Sequence, residues 1–186
     1  ISSQLYDNDI VIPHVVAGDN LAFFPLGAFL RRCGAFFVKR SFAGDRVFLS
    51  TAYGTGAVLL DLQSGKPAEV WAGNDVLSCH YNTPLLVKGH LYGIDGRQEG
   101  GQAALRCVEW DTGKVKWTKE GFGCAGLIHA DGLLIACPEN GDVVLIDPSP
   151  NGYKELARAS VLDSPVRALP ALAGGRLFVR DGKKLV

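Results

Sequence analysis

The side chains best suited to chemistry lie in two short polar stretches, Ser78-Cys79-His80-Tyr81-Asn82 and Asp95-Gly96-Arg97-Gln98-Glu99. Together His80, Tyr81, Asn82, Arg97 and Glu99 offer donors, acceptors and both signs of charge. That is the equipment of a binding site rather than of one reaction type. The five cysteines, Cys33, Cys79, Cys107, Cys124 and Cys137, promise less. No two stand at Cys-x-x-Cys spacing and their number is odd, so they are expected as buried thiols, with no metal site among them. They leave the redox compartment open, periplasmic or cytoplasmic.

The elements that must position these residues come from a repeat. A turn residue followed by a short apolar strand returns at Asp45-Arg46-Val47-Phe48, Gly89-His90-Leu91-Tyr92, Gly132-Leu133-Leu134-Ile135 and Gly175-Arg176-Leu177-Phe178. Aligned on Val47, Leu91, Leu134 and Leu177, the steps are 44, 43 and 43 residues. A period of this size marks one supersecondary unit that cannot bury its own apolar face and must stack on copies of itself. The strands within each unit are short, rich in Val, Leu, Ile and Phe, and punctuated by Asp131-Gly132, Asn140-Gly141, Gly174-Gly175 and Asp181-Gly182. Such pairs tolerate the positive φ of tight hairpins. In the second unit the expected strands are 83–87, 91–94, 104–110 and 114–117; in the third, 126–130, 133–137, 142–146 and 154–159. Four antiparallel strands in about 40 residues is the size of a β-propeller blade. The first strand of a blade lines the central channel. The stretches 78–82 and 95–99 are therefore expected at one mouth of that channel, where exposed loops on a rigid scaffold carry function.

The repeats also resemble the pyrroloquinoline-quinone-like β-propeller family. The residues that carry the resemblance are Leu60-Asp61-Leu62-Gln63-Ser64-Gly65-Lys66 with Trp71, and Val108-Glu109-Trp110-Asp111-Thr112-Gly113-Lys114-Val115-Lys116-Trp117. The family's outer hairpin turn carries such an acidic-x-x-Thr-Gly-Lys signature, and its tryptophan docks between neighbouring blades. The resemblance thus implies that Gly65, Trp71, Gly113 and Trp117 are structural anchors. The third unit departs from the pattern, with Asp147-Pro148-Ser149-Pro150-Asn151-Gly152 at the turn and Leu156 where the tryptophan is expected. Quinone-dependent members of the family share an adjacent cysteine pair, a stacking tryptophan and acidic calcium ligands. No Cys-Cys dipeptide occurs here, and Trp71, Trp110 and Trp117 all fall in or beside the outer turn. A propeller with no quinone cofactor is expected.

Residues 1–42 read differently. Ile10 to Val16 is an apolar strand broken by Pro13, Asp19-Asn20 can cap a helix from Leu21 to about Arg32, and 35–39 is a second strand. This is a short α/β head. Pro13-His14-Val15-Val16-Ala17-Gly18-Asp19-Asn20-Leu21, Pro25-Leu26-Gly27 and the run from Arg31 to Phe42 resemble the glycerol-3-phosphate acyltransferase family. There a Gly-x-x-Phe-x-Arg/Lys-Arg motif helps bind the acceptor's phosphate; the resemblance places it on Gly34, Phe37, Lys39 and Arg40. Paired cations suit a phosphate, which takes charge-assisted hydrogen bonds. The family's catalytic His-x4-Asp, whose histidine is the general base, is expected upstream of residue 1. The spacings His14/Asp19 and His90/Asp95 are read as coincidental, because each histidine falls in a strand.

The remaining numbers exclude partners. With 19 basic and 19 acidic side chains the net charge is zero, against a nucleic-acid partner. Asp19, Arg31, Arg32 and two prolines interrupt the apolar stretch 10–38, against a transmembrane span. With no methionine in the sequence, an internal fragment is expected. The reading is a mainly β chain: a partial β-propeller over 43–186, about three four-stranded blades plus the start of a fourth, behind an α/β head over 1–42, joined between Phe42 and Val47. Its expected role is a scaffold or binding module whose partner is a protein or the blades that complete the ring. The alternative is an acyltransferase remnant of phospholipid biosynthesis without its catalytic pair.

Overall fold

The structure is a computed structural model that describes residues 39–186, apart from Gly44, Gly65, 99–101 and Ser164. The expected strand at 10–16, the helix from Leu21, Gly34, Phe37 and the His14/Asp19 pair lie outside the described residues, as do Gly65 and Glu99. Three four-stranded antiparallel sheets follow one another along the chain. The first holds β1 (Lys39–Ala43), β2 (Arg46–Thr51), β3 (Gly56–Asp61) and β4 (Ala68–Gly73). The second holds β5 (Leu85–Val87), β6 (His90–Asp95), β7 (Ala104–Glu109) and β8 (Val115–Lys119). The third holds β9 (Ala125–Ala130), β10 (Leu133–Pro138), β11 (Asp142–Ile146) and β12 (Glu155–Ser160). A hairpin of β13 (Ala171–Ala173) and β14 (Arg176–Phe178) begins a fourth. Each strand pairs only with its sequence neighbours, so every blade is a simple meander.

The repeat period has a local cause. The first turn of the second, third and fourth units puts two consecutive residues at positive φ: Lys88-Gly89, Asp131-Gly132 and Gly174-Gly175. Two positive φ values give the hairpin twist that matches twisted strands. The middle strands of the second blade, which lies between the first and the third, are buried on both faces; most residues of β6 and β7 are enclosed. A sheet sandwiched between two others reads as a continuous apolar run rather than an alternating one. One core joins the first blade to the second through Phe48, Leu59, Leu77, Leu91, Val108 and Trp110. A larger one joins the second to the third, around Tyr92, Leu105, Leu134, Val144 and Ile146. A smaller one, Cys137, Leu162, Val166 and Val179, holds the fourth unit.

Blade-to-blade docking runs through the outer strand. The Trp71 indole of β4 donates to the Trp110 carbonyl of the next blade at 2.7 Å. Its ring lies against Gly113, where an added Cβ would stand 2.7 Å from the ring and where φ is +70°. Trp117 of β8 repeats the arrangement, donating to the Ser149 carbonyl at 2.8 Å and packing between Tyr92 and Tyr153. The register corrects one expectation about the third blade. Trp71 pairs with Leu59 and Trp117 with Cys107, each one step before a bulge. The corresponding pair in the third blade is Leu145 with Ala157, so Ala157 stands at the tryptophan position and Leu156 is the bulged residue. The bulge, absent from a residue count along the chain, shifts the alignment by one.

β1 also bears on the expected head. It pairs with β2 along Lys39↔Ser50 to Ala43↔Arg46. Among the described residues the first sheet thus takes in Lys39–Ala43, on both sides of the expected boundary between 42 and 43. No helix among the described residues is long and apolar enough to cross a membrane.

Candidate functional site

Meander topology decides which loops share an end. The turns between the second and third strands of each blade and the linkers between blades come to one end; the remaining turns come to the other. The segments 52–55, 74–84, 96–98, 102–103, 120–124, 139–141, 161–163 and 165–170 therefore lie at a common end. The stretch after β4 is fixed there by backbone. Cys79 bridges Gly96, and Gly96 N–H donates to the Ser78 carbonyl at 3.0 Å. Ser50 Oγ accepts from Cys79 N–H at 2.9 Å and itself bonds the Leu77 carbonyl. Asp95, at the end of β6, accepts from Ser78 N–H at 2.6 Å and pairs with Arg106 at 3.0 Å. Burial raises the Asp95 carboxyl, while that N–H and the Arg106 guanidinium oppose the rise.

On this frame sits a connected chain of polar side chains. The Arg97 guanidinium lies 5.0 Å above the Tyr53 ring. Tyr53 Oη is 3.0 Å from His80 Nε2, and the two rings meet edge to face. His80 in turn contacts the Tyr81 ring, at 5.6 Å between centroids. Tyr81 donates its hydroxyl to Glu139 Oε1 at 2.9 Å, and Arg167 approaches the same carboxylate at 3.6 Å. Burial, then the Glu139 hydrogen bond, push the Tyr81 hydroxyl far above the usual tyrosine range, so it stays a donor. Asn82 and Thr83, the next two residues in the chain, are buried, at 3% and 8% exposure.

Of the residues expected at a channel mouth, His80, Tyr81 and Arg97 are thus brought together, with Asn82 directly adjoining them in the chain. Tyr53, Glu139 and Arg167 complete the arrangement and were not anticipated. A signal for two of them exists: Tyr53 and Glu139 occupy the same turn of their units as Arg97 does of its own. Lys39 and Arg40 fall in β1, opposite Ser50 and Leu49. His90 and Asp95 stand at opposite ends of the six-residue β6, about 17 Å apart at 3.3–3.4 Å per residue. His90 Nδ1 lies instead 3.0 Å from the Lys88 carbonyl. Among the described residues no three His, Cys, Asp or Glu side chains are grouped to hold a metal ion.

No family model matches the chain. Solved structures do. BamB from Moraxella catarrhalis superposes with a TM-score of 0.61 over 78% of this chain and 40% of its own, at 11% identity. The quinohemoprotein alcohol dehydrogenase ADHIIG from Pseudomonas putida HK5 gives 0.55 over 83% of this chain and 33% of its own, at 13% identity. The computationally designed Ika8 gives 0.52 over 77% and 42%, at 10% identity. The fold is that of a β-propeller. At these identities the likeness is one of fold alone. Curated sequences match a short segment only. The glycerol-3-phosphate acyltransferase of Pseudoalteromonas atlantica is 52% identical over 44 residues, 24% of this chain. That of Haemophilus ducreyi is 50% identical over 48 residues, 26% of this chain. The chain spans 5% and 6% of the length of these two relatives.

Proposed function

We propose that the chain is a β-propeller scaffold of the pyrroloquinoline-quinone-like repeat type that serves as a binding module. Its ligand is a protein, met at the end that carries Tyr53, His80, Tyr81, Asn82 and Arg97. The observation that supports this most is the unbroken side-chain path from Arg97 to Arg167, drawn from five loops of four successive units. Groups contributed by separate loops of a rigid scaffold are held in fixed relation at little entropic cost to binding. Tyrosine and arginine are also the residues enriched at interface hot spots.

A quinone fits this chain poorly. Trp71 and Trp117 are committed to carbonyls of the next blade and Trp110 is 6% exposed within the first inter-blade core. None is left to stack on a planar cofactor. The buried cysteines Cys79, Cys107, Cys124 and Cys137 are spread over separate strands and loops. The acyltransferase-like match supports no second reading, since it spans about a twentieth of the enzymes it resembles.

The test is site-specific photo-crosslinking in cells, with a benzophenone residue at position 53 and, separately, at position 112 on the opposite end. The proposal expects discrete protein adducts at 53 and few at 112. Equal yields at both, or adducts at 112 alone, overturn it.

A further inference from the structure

The sequence contains two Asn-Gly pairs, Asn140-Gly141 and Asn151-Gly152. In such a pair the main-chain nitrogen of the glycine can reach the asparagine side-chain carbonyl carbon and close a five-membered ring. Glycine puts no Cβ in the way and lets the backbone turn freely. In a folded chain the attack depends on how tightly both partners are held, and here the two pairs differ.

Asn140-Gly141, between β10 and β11, is locked. Asn140 Nδ2 donates to Asp142 Oδ2 at 3.0 Å, and Asn140 Oδ1 accepts from Asp142 N–H at 3.1 Å. The Gly141 N–H donates to the Pro138 carbonyl at 3.1 Å, and the Gly141 carbonyl accepts from the Val161 and Leu162 N–H groups, each at 3.1 Å. Gly141 is buried at φ +92°, and a Cβ built on it would collide with the Leu162 carbonyl oxygen. Swinging the Asn140 amide onto the Gly141 nitrogen breaks both side-chain bonds and needs a nitrogen that is already engaged.

Asn151-Gly152, in the turn between β11 and β12, is open. Asn151 is exposed. Among the described residues it is held only through its backbone N–H, which donates to Ser149 Oγ at 3.2 Å. The Gly152 N–H has no hydrogen-bond partner among the described residues. Gly152 sits at φ +150°, and a Cβ built on it would meet nothing within 4 Å.

We propose that Asn151 is a site of spontaneous modification, converting to aspartate and isoaspartate in the folded protein while Asn140 stays intact. The Gly152 nitrogen attacks the Asn151 side-chain carbonyl carbon. A C–N bond forms, the bond to the amide nitrogen breaks, and that nitrogen leaves as ammonia with the proton from Gly152. Water then opens the imide. Cleavage of the new bond gives aspartate. Cleavage of the original peptide bond gives isoaspartate, with one more carbon in the main chain. One water enters and one ammonia leaves, and no oxidant or cofactor is needed. The site lies at the dock between the second and third blades. Two residues before it the Ser149 carbonyl accepts from Trp117, and two residues after it the Tyr153 ring packs on Trp117 and Phe122.

The test is to hold the purified protein at pH 8 over days, in buffer and in guanidinium chloride. The tryptic fragment 120–154 carries both asparagines and is read by tandem mass spectrometry after chromatography that separates aspartate from isoaspartate. In buffer Asn151 should convert, and Asn140 at least roughly tenfold more slowly, on the scale of the hydrogen bonds that hold it. In denaturant the lock is gone and the two should convert at similar rates. Both products should appear at position 151, and the rate should rise with pH, because the attacking nitrogen must lose its proton. Asn151→Gln, which would have to close a six-membered ring, should abolish conversion at 151 and leave Asn140 as slow as before. Three results overturn the inference: Asn140 converting as fast as Asn151 in buffer, Asn151 unchanged in buffer while it converts in denaturant, or aspartate as the sole product, which marks direct hydrolysis of the amide.

Discussion

Replacing Trp117 by alanine probes how the blades are held together. Its indole is half-buried, donates to the Ser149 carbonyl of the next blade at 2.8 Å, and lies 6.0 Å from both Tyr92 and Tyr153. A fully buried aromatic lost to alanine costs about 3–5 kcal/mol. Partial exposure brings the packing share toward about 2, and a neutral hydrogen bond adds about 1. A loss of about 3 kcal/mol is expected, equivalent to roughly 6–12 °C in Tm for a chain of this length. Trp117→Phe keeps most of the ring and loses the N–H, so about 1 kcal/mol is expected. Arg97→Ala removes an exposed loop side chain and should stay within about 0.5 kcal/mol. Urea melts followed by far-ultraviolet circular dichroism avoid relying on the fluorescence that the substitution removes. A common m-value across variants checks that the comparison is legitimate. If Arg97→Ala loses as much as Trp117→Ala, or Trp117→Ala costs under about 1 kcal/mol, the docking argument is refuted.

Three further outcomes follow from other contacts. Gly113→Ala should destabilise by more than about 1 kcal/mol, because φ is +70° and the new Cβ meets the Trp71 ring; in a Trp71→Ala background urea melts should show a smaller cost. Ser160 and Arg158 hold the Asp142 carboxyl below its usual range, and Arg158 with Tyr153 hold Glu155 at about 2. Folded pKa values below the unfolded ones contribute stability at neutral pH that is lost as pH falls from about 4.5 toward 2. Arg158→Leu should therefore show a shallower loss of Tm across that window. Burial pushes the Cys107 and Cys137 thiols up to about 11. Both should resist iodoacetamide at pH 8 until urea unfolds the chain, as read by peptide mass mapping.

Much of the fold was legible because its cause is local and repeated. The turn pairs Asp131-Gly132 and Gly174-Gly175 adopt the positive φ their composition suggests. The strands of the second and third blades fall within a few residues of the expected spans. The third-blade tryptophan position was misplaced by one residue, since a bulge is a property of strand pairing and leaves no mark in spacing. The pairing of 39–43 with β2 was not legible for a related reason. Lys39 to Phe42 resemble another family in sequence, yet their backbone pairs with β2. At the candidate site, His80, Tyr81 and Arg97 stood out by residue type. Tyr53 and Glu139 did not, as one aromatic or one acid in a turn is unremarkable until the meander brings five loops to one end.

The central claim is that this end of the propeller, and not the other, meets the partner. Hydrogen–deuterium exchange on the chain alone and in complex with the protein recovered at position 53 tests it most directly. Protection on binding is predicted in 52–55, 78–84, 96–98 and 139–141, with no change in the turns 110–114 and 147–154. Protection centred on those two turns, with the Tyr53 and His80 segments exchanging as in the free chain, would contradict it.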